Sequence, residues 1–295
     1  MSATHPQSDR PPRSEHPRDR FDLHVHTSHS DGVCSPAEVV RAASAVGLAG
    51  LAITDHDTLT ALPAAQAEAR LVGLELIPGV ELTVTHASKE YHLLAYGFDD
   101  QNQGLRDALE NGKRSRVERA AEIAERLTRL GLNVDLQALQ ATWPRASLNR
   151  RHFAEWLVRT RQAPSHAEVF ARWLGDHAPA FVPKPGLAFE DAVNLVAMAG
   201  GVCALAHPPR WLKDETVRVF QAAGMVGIEV EWPRLGRKQV DQGMQRAARL
   251  GLAPIAGSDF HAPGKPGAWV GSITTSAAEL AQLRKAAPNN QRMLV

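Results

Sequence analysis

Only two cysteines, Cys34 and Cys203, occur in 295 residues. Two thiols cannot staple a chain of this size, so a disulfide framework is excluded and a reducing, cytoplasmic setting is expected. Long apolar runs are missing as well. No stretch approaches the roughly 20 residues that a membrane span needs, and the N-terminal segment lacks the apolar core of a secretory signal. No charge sign dominates, with 33 Lys and Arg against 32 Asp and Glu. A protein held mainly by DNA phosphates is usually far more basic, so neither DNA nor a membrane is expected as a partner; a local basic pocket remains compatible with this balance. Hydrophobic residues make up 44 % of the chain, enough for one large α/β barrel or two smaller domains, and wholesale disorder is excluded. What the chain has in excess is histidine. The thirteen present are about twice the usual share of roughly 2 %, and imidazole is both the commonest metal ligand and the neutral-pH acid and base.

Residues 1–20 are polar, proline-rich and aperiodic, and read as a disordered tail. From residue 21 onward strand-like and helix-like runs alternate. Ser35-Pro36 carries the signature of a helix start, a capping hydroxyl followed by proline in the first turn. The rhythm of strand, helix, strand implies parallel strands. It breaks at residues 101–183, where a long charged helix and two shorter helical pieces are expected and no strong strand signal appears. It then resumes over 184–295. Four strands before the break and three after predict an α/β fold, a distorted (β/α)7 barrel (21–100 and 184–295) with a mostly helical insertion (101–183).

Active sites of parallel α/β folds lie at the carboxyl ends of the strands. The first strand ends in His24-Val25-His26, and a period of two puts both imidazoles on one face. Asp31 follows in a turn. The second strand ends in Thr54-Asp55-His56-Asp57, the third reaches Glu81, the fourth carries His92 near its start, and later strands lead into His207 and Asp259-Phe260-His261. A single histidine of this kind is more often a hydrogen-bonded core residue; six in this arrangement are not. By position His92 is the odd one, away from a carboxyl end. Nine nitrogen and oxygen ligands exceed what one ion takes and suit two or three cations held close together. The set fits manganese, zinc or iron, and the absence of thiolates argues against a closed structural zinc site.

The run His24-Val25-His26-Thr27-Ser28-His29-Ser30-Asp31-Gly32, together with Thr54-Asp55-His56-Asp57, Glu81, His207-Pro208 and Asp259-Phe260-His261, resembles the ordered motifs of the PHP (polymerase and histidinol phosphatase) family. The helical insertion is similar to that of small PHP phosphoesterases acting on nucleotide 3′,5′-bisphosphates. The resemblance implies a seven-stranded barrel with up to three divalent metals, manganese first and zinc or iron as alternatives. One ion would take His24, His26, Glu81 and Asp259. A second would share Glu81 and add His92 and His207. A third would take Asp31, His56 and His261.

The implied reaction is hydrolysis of the 3′-phosphate of a nucleoside 3′,5′-bisphosphate, by a hydroxide that two close cations generate from bridging water. A substrate with a second phosphate needs a cationic cradle, for which the planar fork of arginine is suited. Arg210, three residues after His207, and Arg151, at a helix start within the insertion, are the candidates, with His152 and Lys184 behind them. His29 is a candidate acid for the leaving oxygen. Expected alternatives are 5′-to-3′ cleavage of short 5′-phosphorylated RNA, a histidinol-phosphate-type phosphatase, and a metal-binding module without turnover. Arg114, Arg116, Arg119 and Arg126, spaced with Glu118 and Glu122, predict a solvated helix face. Trp143, Trp156 and Trp173 predict a core for the insertion, and both cysteines read as inert small hydrophobes.

Overall fold

The computed structural model describes residues 19–144, 147–183, 186–264 and 268–286. Strand β1 (Arg20–Val25) leads through a turn into α1 (Pro36–Ala45). Ser35 caps that helix, as its hydroxyl and proline signature predicts, and the cap is completed as a capping box by Glu38. Strand β2 (Gly50–Ile53) and helix α2 (Leu62–Val72) follow. The next strand, β3 (Glu75–His86), runs for 12 residues, past Glu81, and turns back as β4 (Lys89–Tyr96). Past the insertion come β5 (Leu187–Ala188), α7 (Phe189–Met198), β6 (Val202–Leu205), α8 (Asp214–Ala222), β7 (Gly227–Glu231), α9 (Arg237–Leu250), β8 (Ala253–Ala256), β9 (Thr275–Ser276) and α10 (Ala277–Lys285). Among the described residues no helix is long and apolar enough to cross a membrane.

The strands form a single sheet in the order β8-β7-β6-β4-β3-β2-β1-β9, with β5 beside β3. Seven principal strands are present, plus the two-residue β5 and β9. The sheet nearly closes into a barrel. Val25 bridges Phe260 just beyond β8, and the His26 amide donates to the Phe260 carbonyl at 2.9 Å. The two segments also meet at Gly257, where an added Cβ would sit 2.3 Å from the His24 Cβ. Only glycine lets β1 and the end of β8 meet there. Asp22, wholly buried on β1, fastens the same seam by accepting the Ser258 amide (2.9 Å) and the Gly271 amide (2.8 Å).

One expectation is corrected. The strands are not all parallel: β4 runs antiparallel to both β3 and β6. A tight turn at Ala87 and Ser88, both at positive φ (48° and 60°), reverses the chain. This reversal brings the start of β4 to the end of the barrel where its neighbours finish. His92 therefore reaches the same mouth as the other histidines, although it precedes most of its own strand.

The segment between β4 and β5 contains α3 (Gln103–Arg129), α4 (Leu136–Thr142), α5 (Arg150–Arg159), α6 (His166–Val169) and a π-helical turn over Phe170–Leu174. The last two occupy the place of one expected helix. Helix α3 belongs to two cores. Leu105 packs into the barrel core, and Leu109 packs against it, while Ala120, Ile123, Ala124 and Leu127 join Phe153, Leu157 and Leu174 in a separate cluster. Trp143, Trp156 and Trp173 pack on the edge of that cluster.

Candidate active site

Glu81 lies at the centre of the barrel mouth, buried on the inner face of β3. Its Oε2 is 3.2 Å from His24 Nε2, 3.2 Å from His26 Nε2 and 3.3 Å from His56 Nδ1. Its Oε1 is 2.9 Å from both His92 Nδ1 and His207 Nε2. Five imidazoles from β1, β4 and the segments after β2 and β6 thus converge on one carboxylate. Asp259 Oδ1 approaches His24 Nε2 (3.5 Å) and His26 Nε2 (3.4 Å) from the closing side. Asp31 carries its carboxylate to His261 Nε2 (3.3 Å), His26 Nδ1 (3.8 Å) and His56 Nε2 (3.9 Å).

The backbone is strained where it presents these groups. His207 (φ 24°), Asp259 (φ 46°) and Asp57 (φ 51°), next to His56, all sit in the left-handed region that L-residues avoid. Hydrogen bonds around them hold the strain in place. The Asp57 amide donates to the Glu81 carbonyl at 2.9 Å, and His261 Nδ1 lies 2.8 Å from the Asp259 carbonyl.

Two carboxylates that sequence reasoning missed hold these side chains in position. Glu229, buried on β7, bonds His24 Nδ1 through Oε1 (3.0 Å) and accepts the His207 amide through Oε2 (2.6 Å). A proton kept on Nδ1 by Glu229 leaves Nε2 of His24 free to face the cluster. Asp55 accepts the Thr27 amide (2.7 Å), the Thr27 hydroxyl (2.6 Å) and the Ser30 hydroxyl (2.5 Å), and so shapes the turn that carries Asp31. The available signal was an acidic residue inside an apolar strand, Gly227-Ile228-Glu229-Val230-Glu231, which also has a surface reading.

Such a concentration of imidazoles and carboxylates shifts both. Burial works against a charged Glu81, but its histidine neighbours, His56 and His24 foremost, hold it well below the usual carboxylate range. Burial also opposes charge on His26, yet hydrogen bonds to Asp259 and Glu81 raise its pKa to about 9. His92 rises to about 10, because Glu81 and Glu90 outweigh the same penalty. His56 goes the other way, to about 4, since burial prevails over the pull of Glu81.

The residues fit divalent cations. Three sets can each bring their ligand atoms within 4.8 Å of one another: His26, Asp31, His56 and His261; His24, His26 and Glu81; and His56, Glu81 and His92. His26 Nδ1 is buried without any hydrogen-bond partner, and an unpaired ring nitrogen facing a carboxylate at 3.8 Å suits an ion between them. Cation binding requires neutral imidazoles. With the pKa values of metal-free His26 and His92 raised above neutrality, cation binding is expected to expel their protons and affinity to rise with pH. Calorimetry in two buffers of different ionisation enthalpy is expected to show net proton release on manganese or zinc binding at pH 7.5. A heat independent of the buffer would contradict the protonated state of these rings.

The PHP domain model matches residues 22–142. Over 257 residues the chain is 34 % identical to the 3′,5′-nucleoside bisphosphate phosphatase of Chromobacterium violaceum, spanning 85 % of this chain and 90 % of the relative. The chain belongs to the PHP family. It is a metal-dependent phosphoesterase, a hydrolase whose His, Glu and Asp cluster is able to hold metal ions. It is also 32 % identical over 250 residues to a 5′-3′ exoribonuclease of Haemophilus influenzae, spanning 83 % of this chain and 90 % of that one. Among solved structures, a Chromobacterium violaceum amidohydrolase with bound sulfate superimposes with a TM-score of 0.73 at 31 % identity, covering 92 % of this chain and 98 % of that one. A Bifidobacterium adolescentis protein assigned as a metal-dependent phosphoesterase gives 0.74 at 28 % identity, covering 91 % and 96 %.

The other expected PHP-site residues are scattered. Arg210 is exposed on the turn after β6, with no hydrogen bond or ion pair among the described residues. Arg151 lies at the start of α5, beside an open groove of about 370 Å³ that it lines with Trp143, His152, Glu155, Arg159 and His166. His152 serves there as a cap, its Nδ1 accepting the Asn149 amide at 3.1 Å. His29 Nδ1 bonds Thr60 Oγ1 at the surface (2.9 Å). Lys184 lies outside the described residues.

The solvated-helix reading of α3 is corrected at Arg119 and Arg116, while Arg114 and Glu118 are exposed as it predicts. Arg119 is buried, its Nε donating to the carbonyls of Val182 and Pro183 at 3.0 Å each. Arg116 Nη1 reaches out of the insertion to Asp57 Oδ2 at 2.8 Å, in an ion pair that is only 16 % and 12 % exposed. Arg126 forms the expected pair along the helix with Glu122, and Arg129 pairs in the same way with Glu125. Neither cysteine enters the site: Cys203 is buried, with its thiol pKa pushed up by burial, and Cys34 is half-buried.

Proposed function

We propose that this PHP protein removes the 3′-phosphate of nucleoside 3′,5′-bisphosphates, in the cytoplasm, with manganese as its working metal. The observation that carries the reading is the convergence of six imidazoles and three carboxylates at the barrel mouth, next to an insertion whose α3 reaches the same segment. The kinship with the Chromobacterium violaceum phosphatase supports the substrate class.

His24, His26, Glu81 and Asp259 would hold one cation, Glu81, His92 and His207 a second, and Asp31, His56 and His261 a third. When bound, close cations supply a nucleophile from water at neutral pH and neutralise charge on the phosphoryl oxygens. The chain's own part is orientation. Glu229 fixes the tautomer of His24 and the amide of His207, and Asp55 fixes the Asp31 turn. Arg210, exposed on the turn after β6, would take the substrate's second phosphate, and Arg151 would join it from the insertion, which would cover the site.

The test is product analysis after incubating manganese-loaded protein with adenosine 3′,5′-bisphosphate, beside a chelated control. Inorganic phosphate and adenosine 5′-monophosphate are expected, and only with metal. Absence of release, with metal shown to be bound, overturns the reading. Release of mononucleotides from short 5′-phosphorylated RNA without turnover of the bisphosphate would instead favour the activity named for the Haemophilus influenzae relative.

A further inference from the structure

Helix α3 is the beam on which the insertion rests. Its first turns pack into the barrel core through Leu105, and its later turns build the insertion's core through Ala120, Ile123, Ala124 and Leu127. Arg116 lies between these two stretches. Its guanidinium leaves the insertion and pairs with Asp57, the residue that follows His56.

Asp57 is stitched into the metal-ligand segment from every side. Its amide donates to the Glu81 carbonyl at 2.9 Å, and the Glu81 amide returns to the Asp55 carbonyl at 3.3 Å. Its Oδ1 accepts the Thr83 amide (2.8 Å) and its Oδ2 the Thr83 hydroxyl (2.9 Å). The third donor to this carboxylate is Arg116 Nη1. Residues 55–57 and 81–83 are thus clamped together, and Arg116 adds the insertion to the clamp. The arginine pays for its near-burial, because its Nε is enclosed with no hydrogen-bond partner. A side chain chosen only for a solvated helix face would not be held this way.

We propose that Arg116 is a positioning residue: through Asp57 it latches the helical insertion onto the metal-ligand segment, and so sets how the insertion's substrate-contacting side is held over the metals. The latch rests on the reading of the site as a bisphosphate phosphatase for its kinetic consequence, but not for its structural one. Losing one partner of a largely buried ion pair weakens the docking of α3, while the two Thr83 hydrogen bonds keep Asp57 and His56 in place.

The experiment compares wild type, Arg116→Gln, Asp57→Asn and the double variant by two readouts. The first is amide hydrogen exchange of the metal-free protein. Exchange is expected to quicken in all three variants around the Arg116 turn of α3, with the double variant no faster than either single one. The second is turnover of adenosine 3′,5′-bisphosphate against a small aryl phosphate that has no second phosphate. For Arg116→Gln, KM for the bisphosphate is expected to rise about tenfold, with kcat and aryl phosphate hydrolysis much less affected; Arg116→Lys is expected to recover part of the loss. Exchange identical to wild type overturns the latch. Additive effects in the double variant overturn the route through Asp57. Equal loss of kcat on both substrates, with loss of bound metal, overturns the assignment to the insertion and places Arg116 at the metal centre. If wild type hydrolyses the aryl phosphate and not the bisphosphate, the proposed substrate fails, while the exchange comparison still decides the latch.

Discussion

Replacing Glu81 with glutamine is expected to abolish turnover, with kcat/KM falling on the order of 10³-fold or more. Among the described residues no other side chain touches as many of the imidazoles, since both of its oxygens are used, Oε2 toward His24, His26 and His56, and Oε1 toward His92 and His207. An amide of the same shape keeps the volume but removes the negative charge that would offset two cations. It also turns one oxygen into a donor aimed at ring nitrogens. The loss is separable from unfolding by the histidines themselves. In the metal-free wild type, Glu81 helps raise His26 to about 9 and His92 to about 10. Without that charge both imidazoles should titrate at markedly lower pH, which NMR reads directly in the folded variant. Retained metal content and activity would show that Glu81 is a bystander to the chemistry.

The cluster was legible because strand ends are where a barrel puts its chemistry, and because histidine is rare enough for six well-placed ones to stand out. The position of His92 was not. Its strand turns back at Ala87-Ser88, a pair with none of the glycine or asparagine that usually marks a tight hairpin. Nothing local announces the reversal, and the antiparallel strand became visible only through its register with β3 and β6. Helix α3 misled for a different reason. Arginines and glutamates three and four apart look alike whether they pair along a helix or reach across to another element. Arg126 does the first, while Arg116 and Arg119 do the second. Spacing within one helix carries no information about Asp57 or the Val182 carbonyl. The helix start at Ser35-Pro36, by contrast, is wholly local and was readable as written.

Glu229 was hidden by its own periodicity, and its removal is the second large effect expected. In Gly227-Ile228-Glu229-Val230-Glu231 the acids alternate with apolar residues as they would on a half-exposed strand, yet Glu229 is buried. Its two oxygens serve two ligands at once, the His24 ring and the His207 backbone, the latter at a strained φ of 24°. Glu229→Ala leaves the His24 Nδ1 and the His207 amide without their acceptor. His24 can then turn or change tautomer, and the turn that presents His207 loses its clamp. Metal affinity is expected to fall by about 10- to 100-fold. Activity should therefore be low at limiting manganese and recover substantially at excess manganese. Glu81→Gln should show no such recovery, because there the centre itself is lost. Titrating manganese against turnover for the two variants side by side distinguishes them. If Glu229→Ala stayed inactive at saturating metal while remaining folded, the carboxylate would have to act on the reaction itself and not only on the orientation of His24.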